Sequence, residues 1–212
     1  MRIWIEMAHP RFRVLYSDIG GVLGTNGWDS SIRRNVCSKF AIPHEEIDAR
    51  HQLMFDSFER GFMKFEDYLR WVFFASPRAF SLEELSDAVF SASVPWPENI
   101  ALFHRVKCAN GLKFGLISNE GQGITEYRMN VFGLREVADF MLVSHFVHMR
   151  KPDPNIWHLA LDLAQMTPEQ CVYVDDRQMF VDVAANLGFT AFQHVDLDST
   201  RRKFEALGLS TT

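Results

Sequence analysis

A chain of 212 residues with 47% hydrophobic content holds enough apolar material for one core, or for one core carrying a smaller insert. Its formal net charge of -5, with no dense run of Lys or Arg, leaves no field to draw in nucleic acid or anionic lipid, so neither is expected as a partner. Cys37, Cys108 and Cys171 are spaced too widely and irregularly for a disulfide frame or a zinc knuckle and read as reduced packing residues, while no apolar run approaches the roughly 20 residues that cross a bilayer.

The opening segment "MRIWIEMAHPRFR" is broken by Glu6, His9 and several arginines, which makes a poor signal peptide, and a cytoplasmic protein is expected. Next comes "RVLYSD", an apolar run ending in Asp18 and followed by Gly20 and Gly21. Four later segments repeat that design: "LKFGLISN", "DFMLVSH", "CVYVDD" and "TAFQHVD". Near-continuous apolar runs of this length suit strands buried on both faces, as in a parallel sheet. Between them lie the amphipathic helical stretches "NIALFHRVKCAN", "ITEYRMNVFG", "PNIWHLALDLAQM" and "MFVDVAANLG". Asp153-Pro154 and Thr167-Pro168 look like helix starts, and Gly133 and Gly188 like C-caps. Alternation of strand and helix predicts an α/β, doubly wound, Rossmann-like parallel sheet. From about Trp28 to Trp96 the alternation stops and only helical patterning remains, with a capping-box candidate at Ser81 and Glu84. The expected organisation is a core of residues 10–27 and 97–212 with a helical insert at 28–96.

Ligands of open α/β sheets bind beyond the carboxyl ends of the strands. Those ends carry Asp18, Ser118-Asn119, Ser144 and Asp175-Asp176, with Lys151 just before a helix start. Each is ordinary alone, since a lone aspartate at a strand end is usually a cap or turn residue. Together they would gather three carboxylates, which repel one another unless a cation sits among them. An all-oxygen set of this kind suits Mg²⁺, with substrate phosphate completing the shell. A carboxylate can then attack phosphorus, while Lys151, Ser118 and backbone N–H groups hold the transferring oxygens.

Taken in order, "SDIGGVL", "LISN", "RKPDP" and "VYVDD" resemble the four motifs of the haloacid dehalogenase superfamily, over about Val14 to Gly188. The insert is similar to the small four-helix cap of that family's phosphatase-like branch. The resemblance implies Asp18 as nucleophile, Ser118 as phosphoryl-oxygen donor with Asn119 beside it, and Lys151 as the charge-balancing cation. It implies a Mg²⁺ site at Asp18, Asp175, Asp176 and the Gly20 carbonyl, with Asp176 the more direct of the acidic pair. The implied activity is phosphatase action on a small phosphorylated metabolite through an aspartyl-phosphate.

Gly20 departs from the pattern, because similar phosphatases have there a second aspartate that protonates the leaving group and activates water. Positioned proton transfer contributes about 10²–10⁴-fold, roughly 3–5 kcal/mol of barrier. A glycine at that position also fits a positive φ or close approach to ligand. Met179 and Phe180 depart too, at positions often polar in similar proteins. A catalytically weak or silent phosphate-binding protein therefore stands as the alternative. Dehalogenase chemistry is a third reading, disfavoured because it needs no metal to offset Asp175 and Asp176 beside Asp18. The insert is expected to choose the substrate, with Trp28, Arg33, Arg34, Arg50 and His51 as candidate contacts, the arginines more in keeping with surface positions. His145 and His148 take no assigned role.

Overall fold

The computed structural model describes residues 11–212. Most of the opening segment, and the expected start of the core at residue 10, fall on residues 1–10 and lie outside the described residues. Five strands form one parallel sheet: β1 Val14–Ser17, β2 Lys113–Ser118, β3 Phe140–Val143, β4 Cys171–Asp175 and β5 Thr190–Gln193, in the order β3-β2-β1-β4-β5. Each falls on one of the five apolar runs, and β1 lies between β2 and β4.

Because side chains alternate across a strand, each strand feeds two layers. Leu15, Phe114, Leu116, Val172 and Val174 face one side with Leu102 and Phe103 of α5 (Pro97–Asn110) and Phe204 of α11 (Leu197–Ala206). Val14, Tyr16, Ile117 and Tyr173 face the other with Ile156 and Trp157 of α9 (Asn155–Ala164) and Phe180 of α10 (Gln178–Asn186). All of these are buried, and a fully buried large apolar side chain contributes about 1.5–3 kcal/mol. Trp157 meets Tyr173 edge to face at 5.8 Å. The remaining helices are α6 (Gln122–Val131), α7 (Leu134–Val137) and α8 (Ser144–Val147).

Between β1 and α5 the chain forms four helices: α1 Ser30–Lys39, α2 His44–Glu59, α3 Phe65–Phe73 and α4 Leu82–Ser91. Asp29 caps α1, and Ser81 with Glu84 forms a complete capping box on α4. The four helices have their own buried cluster of Ile47, Phe58, Tyr68, Leu69, Val72, Leu85 and Val89, joined to the sheet layer through Ile124 of α6. The two chain crossings run side by side, with the Thr25 N–H donating to the Val94 carbonyl at 2.9 Å and the Trp96 N–H to the Leu23 carbonyl at 2.9 Å.

Two expectations fail locally. Thr167-Pro168 opens only a single 3₁₀ turn, Pro168–Gln170, because the Gln170 side chain reaches back to the Thr167 N–H and the chain then enters β4. Cys108 is exposed on α5 rather than packed, whereas Cys37 and Cys171 are buried. Among the described residues no helix is long and apolar enough to cross a membrane.

Candidate active site

The carboxyl ends of β1, β2 and β4 meet where the strand order reverses about β1. Asp18 follows β1 directly and is fixed by its N–H donating to the Val174 carbonyl at 2.9 Å. Its Oδ1 accepts from the Ile19 N–H at 2.7 Å, and its Oδ2 lies 3.0 Å from Lys151 Nζ. Lys151 is fully buried and also donates to Asp175 Oδ2 at 2.6 Å. One ammonium thus bridges two carboxylates.

Asp175 is engaged at both oxygens. Its Oδ2 accepts from Lys151 and from the Tyr173 hydroxyl, and its Oδ1 accepts from the Arg177 N–H at 2.9 Å. Asp176 differs, since its Oδ1 is buried without a hydrogen-bond partner among the described residues. Asp18, Asp175 and Asp176 each offer an oxygen within 4.8 Å of the others. A buried carboxylate oxygen with no donor, in a cluster of three acids against one lysine, fits a divalent cation, and oxygen donors alone suit Mg²⁺. Asp18 and Asp176 would hold such an ion directly, joined by the Gly20 carbonyl, which accepts none of the backbone hydrogen bonds closing this turn.

The electrostatics agree. Burial, the largest influence, pushes the Asp18 carboxyl up and Asp175 adds to this, while Lys151 and Ser118 pull it down, with a net upward shift. Burial and then the charges of Asp18 and Asp175 push Asp176 up to about 7. For Lys151 burial acts downward, but Asp175 and Asp18 hold its pKa above the ordinary lysine value. A dication would favour the ionised carboxylates.

The pocket above Asp18 has a volume of about 70 Å³ and is lined by Gly20, Ser118, Asn119 and Lys151 among others. The Asn119 side-chain amide clamps the Lys151 backbone in both directions, each bond 2.8 Å, which positions the lysine. The Ser144 hydroxyl accepts from the Glu120 N–H at 3.0 Å. Phe180, at one of the departing positions, is buried below Lys151 with Nζ 5.0 Å from its ring, whereas Met179 is exposed.

Several residues at the site were not singled out from the sequence. Glu120 pairs with buried Arg128, which also bonds the Thr25 carbonyl, bracing the loops after β1 and β2. Glu59, at the end of α2, accepts from Arg150 Nε at 2.8 Å and lines the pocket with it. Arg177 lines the pocket too. The available signal was adjacency: Glu120, Arg150 and Arg177 each neighbour a motif residue. Of the candidate contacts in the insert, Trp28 lines the pocket, while Arg33 does not lie at the surface as expected of the arginines. It is buried and paired with Asp48 at 2.6 Å, because packing of α1 on α2 encloses it. His51 is also buried, and Arg34 is exposed. His145 donates to the Glu120 carbonyl, and His148 stacks on Phe62.

The profile of the haloacid dehalogenase-like hydrolases matches residues 79–193. The chain is 41% identical over 66 residues to haloacid dehalogenase-like hydrolase domain-containing protein 3 of Bos taurus, but this covers 31% of the chain and only 26% of that protein. It is 22% identical over 182 residues to flavin mononucleotide hydrolase 1 of Arabidopsis thaliana, covering 84% of the chain and 72% of that protein. Its fold matches a HAD family enzyme of Bacteroides thetaiotaomicron, crystallised with magnesium and inorganic phosphate, with a TM-score of 0.74, 19% identity and coverage of 89% and 98%. It also matches a dehalogenase with a TM-score of 0.66, 17% identity and coverage of 91% and 96%. With the profile spanning more than half of the sequence, the chain belongs to the haloacid dehalogenase-like hydrolases.

Proposed function

We propose that the protein is a cytoplasmic, Mg²⁺-dependent phosphatase of a small phosphorylated metabolite, acting through an aspartyl-phosphate on Asp18. The observation that carries this reading is the buried Asp176 oxygen, unpartnered among the described residues, within a cluster of three acids. A dehalogenase has no use for that cluster, since uncompensated carboxylates oppose an anionic nucleophile. The magnesium and phosphate bound by the Bacteroides enzyme of the same fold are consistent with it.

In the proposed reaction the Asp18 carboxylate attacks phosphorus and the leaving oxygen departs with the bonding electron pair. Lys151 and the Ser118 hydroxyl meet the charge on the phosphoryl oxygens. The metal would neutralise charge shared by nucleophile and phosphate. Water then attacks the same phosphorus, releasing inorganic phosphate and restoring the carboxylate. The other pocket acids are engaged: Asp29 accepts from the Ile32 N–H at 2.8 Å, Glu59 holds Arg150, and Glu120 holds Arg128 and Thr125. The leaving oxygen therefore takes its proton from water.

Hydrolysis of an aryl phosphate should vanish with EDTA and return with Mg²⁺, and Asp176→Ala should raise the Mg²⁺ needed for half-maximal rate at least tenfold or abolish the response. Undiminished turnover in metal-free buffer would contradict the proposal. Phosphate binding with no turnover would favour a silent phosphate-binding protein, the reading that the missing acid at Gly20 supports.

A further inference from the structure

A second cavity of about 210 Å³ adjoins the pocket at Asp18, and Trp28, Asp29, Glu59, Arg150 and Arg177 line both. Ser30 and Arg33 of α1 and His51, Gln52 and Phe55 of α2 complete its wall. The phosphatase reading leaves this space without an occupant beyond the unreacting end of a substrate.

The charges on the wall are unequal in their commitments. Arg33 is held by Asp48 at 2.6 Å and by the Trp28 carbonyl at 2.7 Å, and Arg150 is held by Glu59 at 2.7 Å. Asp29 accepts from the Ile32 N–H, where the N-terminus of α1 offsets its charge. Arg177 is exposed, rests with its guanidinium 5.7 Å from the Phe180 ring, and among the described residues forms no salt bridge, acting on Glu59 and Asp176 only through space. It is the cation left over.

His51 adds a donor of fixed polarity. Trp28 Nε1–H donates to the Tyr68 hydroxyl at 2.7 Å, and that hydroxyl lies 2.7 Å from His51 Nδ1, where donating its own proton satisfies it. With Nδ1 accepting, the ring proton belongs on Nε2, which has no partner among the described residues and is not sealed from the cavity that the residue lines. Burial first, and Arg33 second, pull the His51 pKa down to about 4, so at neutral pH the ring is a neutral N–H donor.

We propose that the outer cavity is a second anion subsite, in which Arg177 and the His51 Nε2–H take a carboxylate or second phosphate carried by the same monoester whose scissile phosphoryl group sits at Asp18. Both groups are donors only, and a guanidinium beside a neutral donor matches an oxyanion better than a hydroxyl. The inference rests on the phosphatase reading and narrows its substrates to small phosphate monoesters with a second anionic group.

The test measures inhibition of aryl phosphate hydrolysis by three probes with Mg²⁺ present: terminal glycerol phosphate, phosphoglycerate and glycerol bisphosphate. They share a glycerol-like frame and differ in having no second anion, a carboxylate or a second phosphate. One or both bifunctional probes should inhibit about tenfold more tightly than glycerol phosphate, the size expected for a charge-assisted contact. Which of the two does so identifies the anion. That ratio should collapse towards one in Arg177→Gln and survive in part in Arg177→Lys. Equal inhibition by all three probes, or a preference that persists in Arg177→Gln, would overturn the subsite while aryl phosphate turnover leaves the phosphatase reading standing. Absence of aryl phosphate hydrolysis would overturn the phosphatase reading, and the subsite with it.

Discussion

Gly20 sits where the chemistry wants a proton donor, and its surroundings determine what a donor there would meet. The positive φ expected at Gly20 belongs instead to Gly21, at +69°, where a Cβ would come within 2.3 Å of Asp176 Oδ2. Gly21 is therefore the position that tolerates no side chain, because Asp176, just beyond β4, comes up against it. At Gly20 a Cβ would lie 3.0 Å from Asn26 Oδ1 and 3.3 Å from Asn26 Cα, so an aspartate fits if Asn26 yields by a few tenths of an ångström. Rates over a series of aryl and alkyl phosphates should fall steeply as leaving-group basicity rises. Gly20→Asp, once shown to be folded by circular dichroism, should flatten that slope and recover part of roughly 3–5 kcal/mol for poor leaving groups. A shallow slope in the wild type would mean that another residue already donates the proton.

Hydrogen bonds between elements tie the insert together, and one of them makes its stability depend on pH. The chain from Trp28 through Tyr68 to His51 crosses from the loop before α1 to α3 and α2, and it needs His51 neutral. Burial depresses the folded pKa from 6.5 to about 4, so the unfolded chain binds the proton more readily. This contribution is complete above pH 6.5 and is lost as pH falls towards 4, up to roughly 3 kcal/mol. Urea denaturation should show the stability advantage of wild type over His51→Gln shrinking across that window, and a gap independent of pH would refute the effect. None of this linkage was legible in the sequence, where His51 was one of five candidate contacts. The five strands were legible because burial on both faces leaves apolar runs, and Asp18, Ser118, Lys151, Asp175 and Asp176 were legible because sheet topology brings strand ends together. Glu59, Arg150 and Arg177 were not, because their meeting depends on how α2 approaches the loops after β3 and β4, which no local pattern encodes. Arg33 was misplaced for the same reason, since α1 meets α2 only in three dimensions.

At the scale of the whole molecule, the insert and the sheet meet over the site through close backbone approaches. Gly61, just beyond α2, has φ of +74°, and a Cβ there would stand 2.3 Å from the His145 carbonyl oxygen. The neighbouring Arg60 carbonyl accepts from His148 Nδ1 at 2.6 Å, and Glu59 holds Arg150. Gly61→Ala should therefore cost on the order of 2 kcal/mol in unfolding free energy and raise KM by displacing the wall formed by Glu59. Unchanged stability and KM would show that this junction is not needed to form the site. The kinetic expectations depend on covalent catalysis at Asp18, and the most direct measurement is mass spectrometry of the acid-quenched protein during turnover of an aryl phosphate with Mg²⁺. The peptide containing Asp18 should carry one added phosphoryl group, absent without metal and absent in Asp18→Asn. Turnover that leaves this peptide unmodified, or that places the phosphoryl group on another residue, would contradict the assignment of Asp18 as nucleophile.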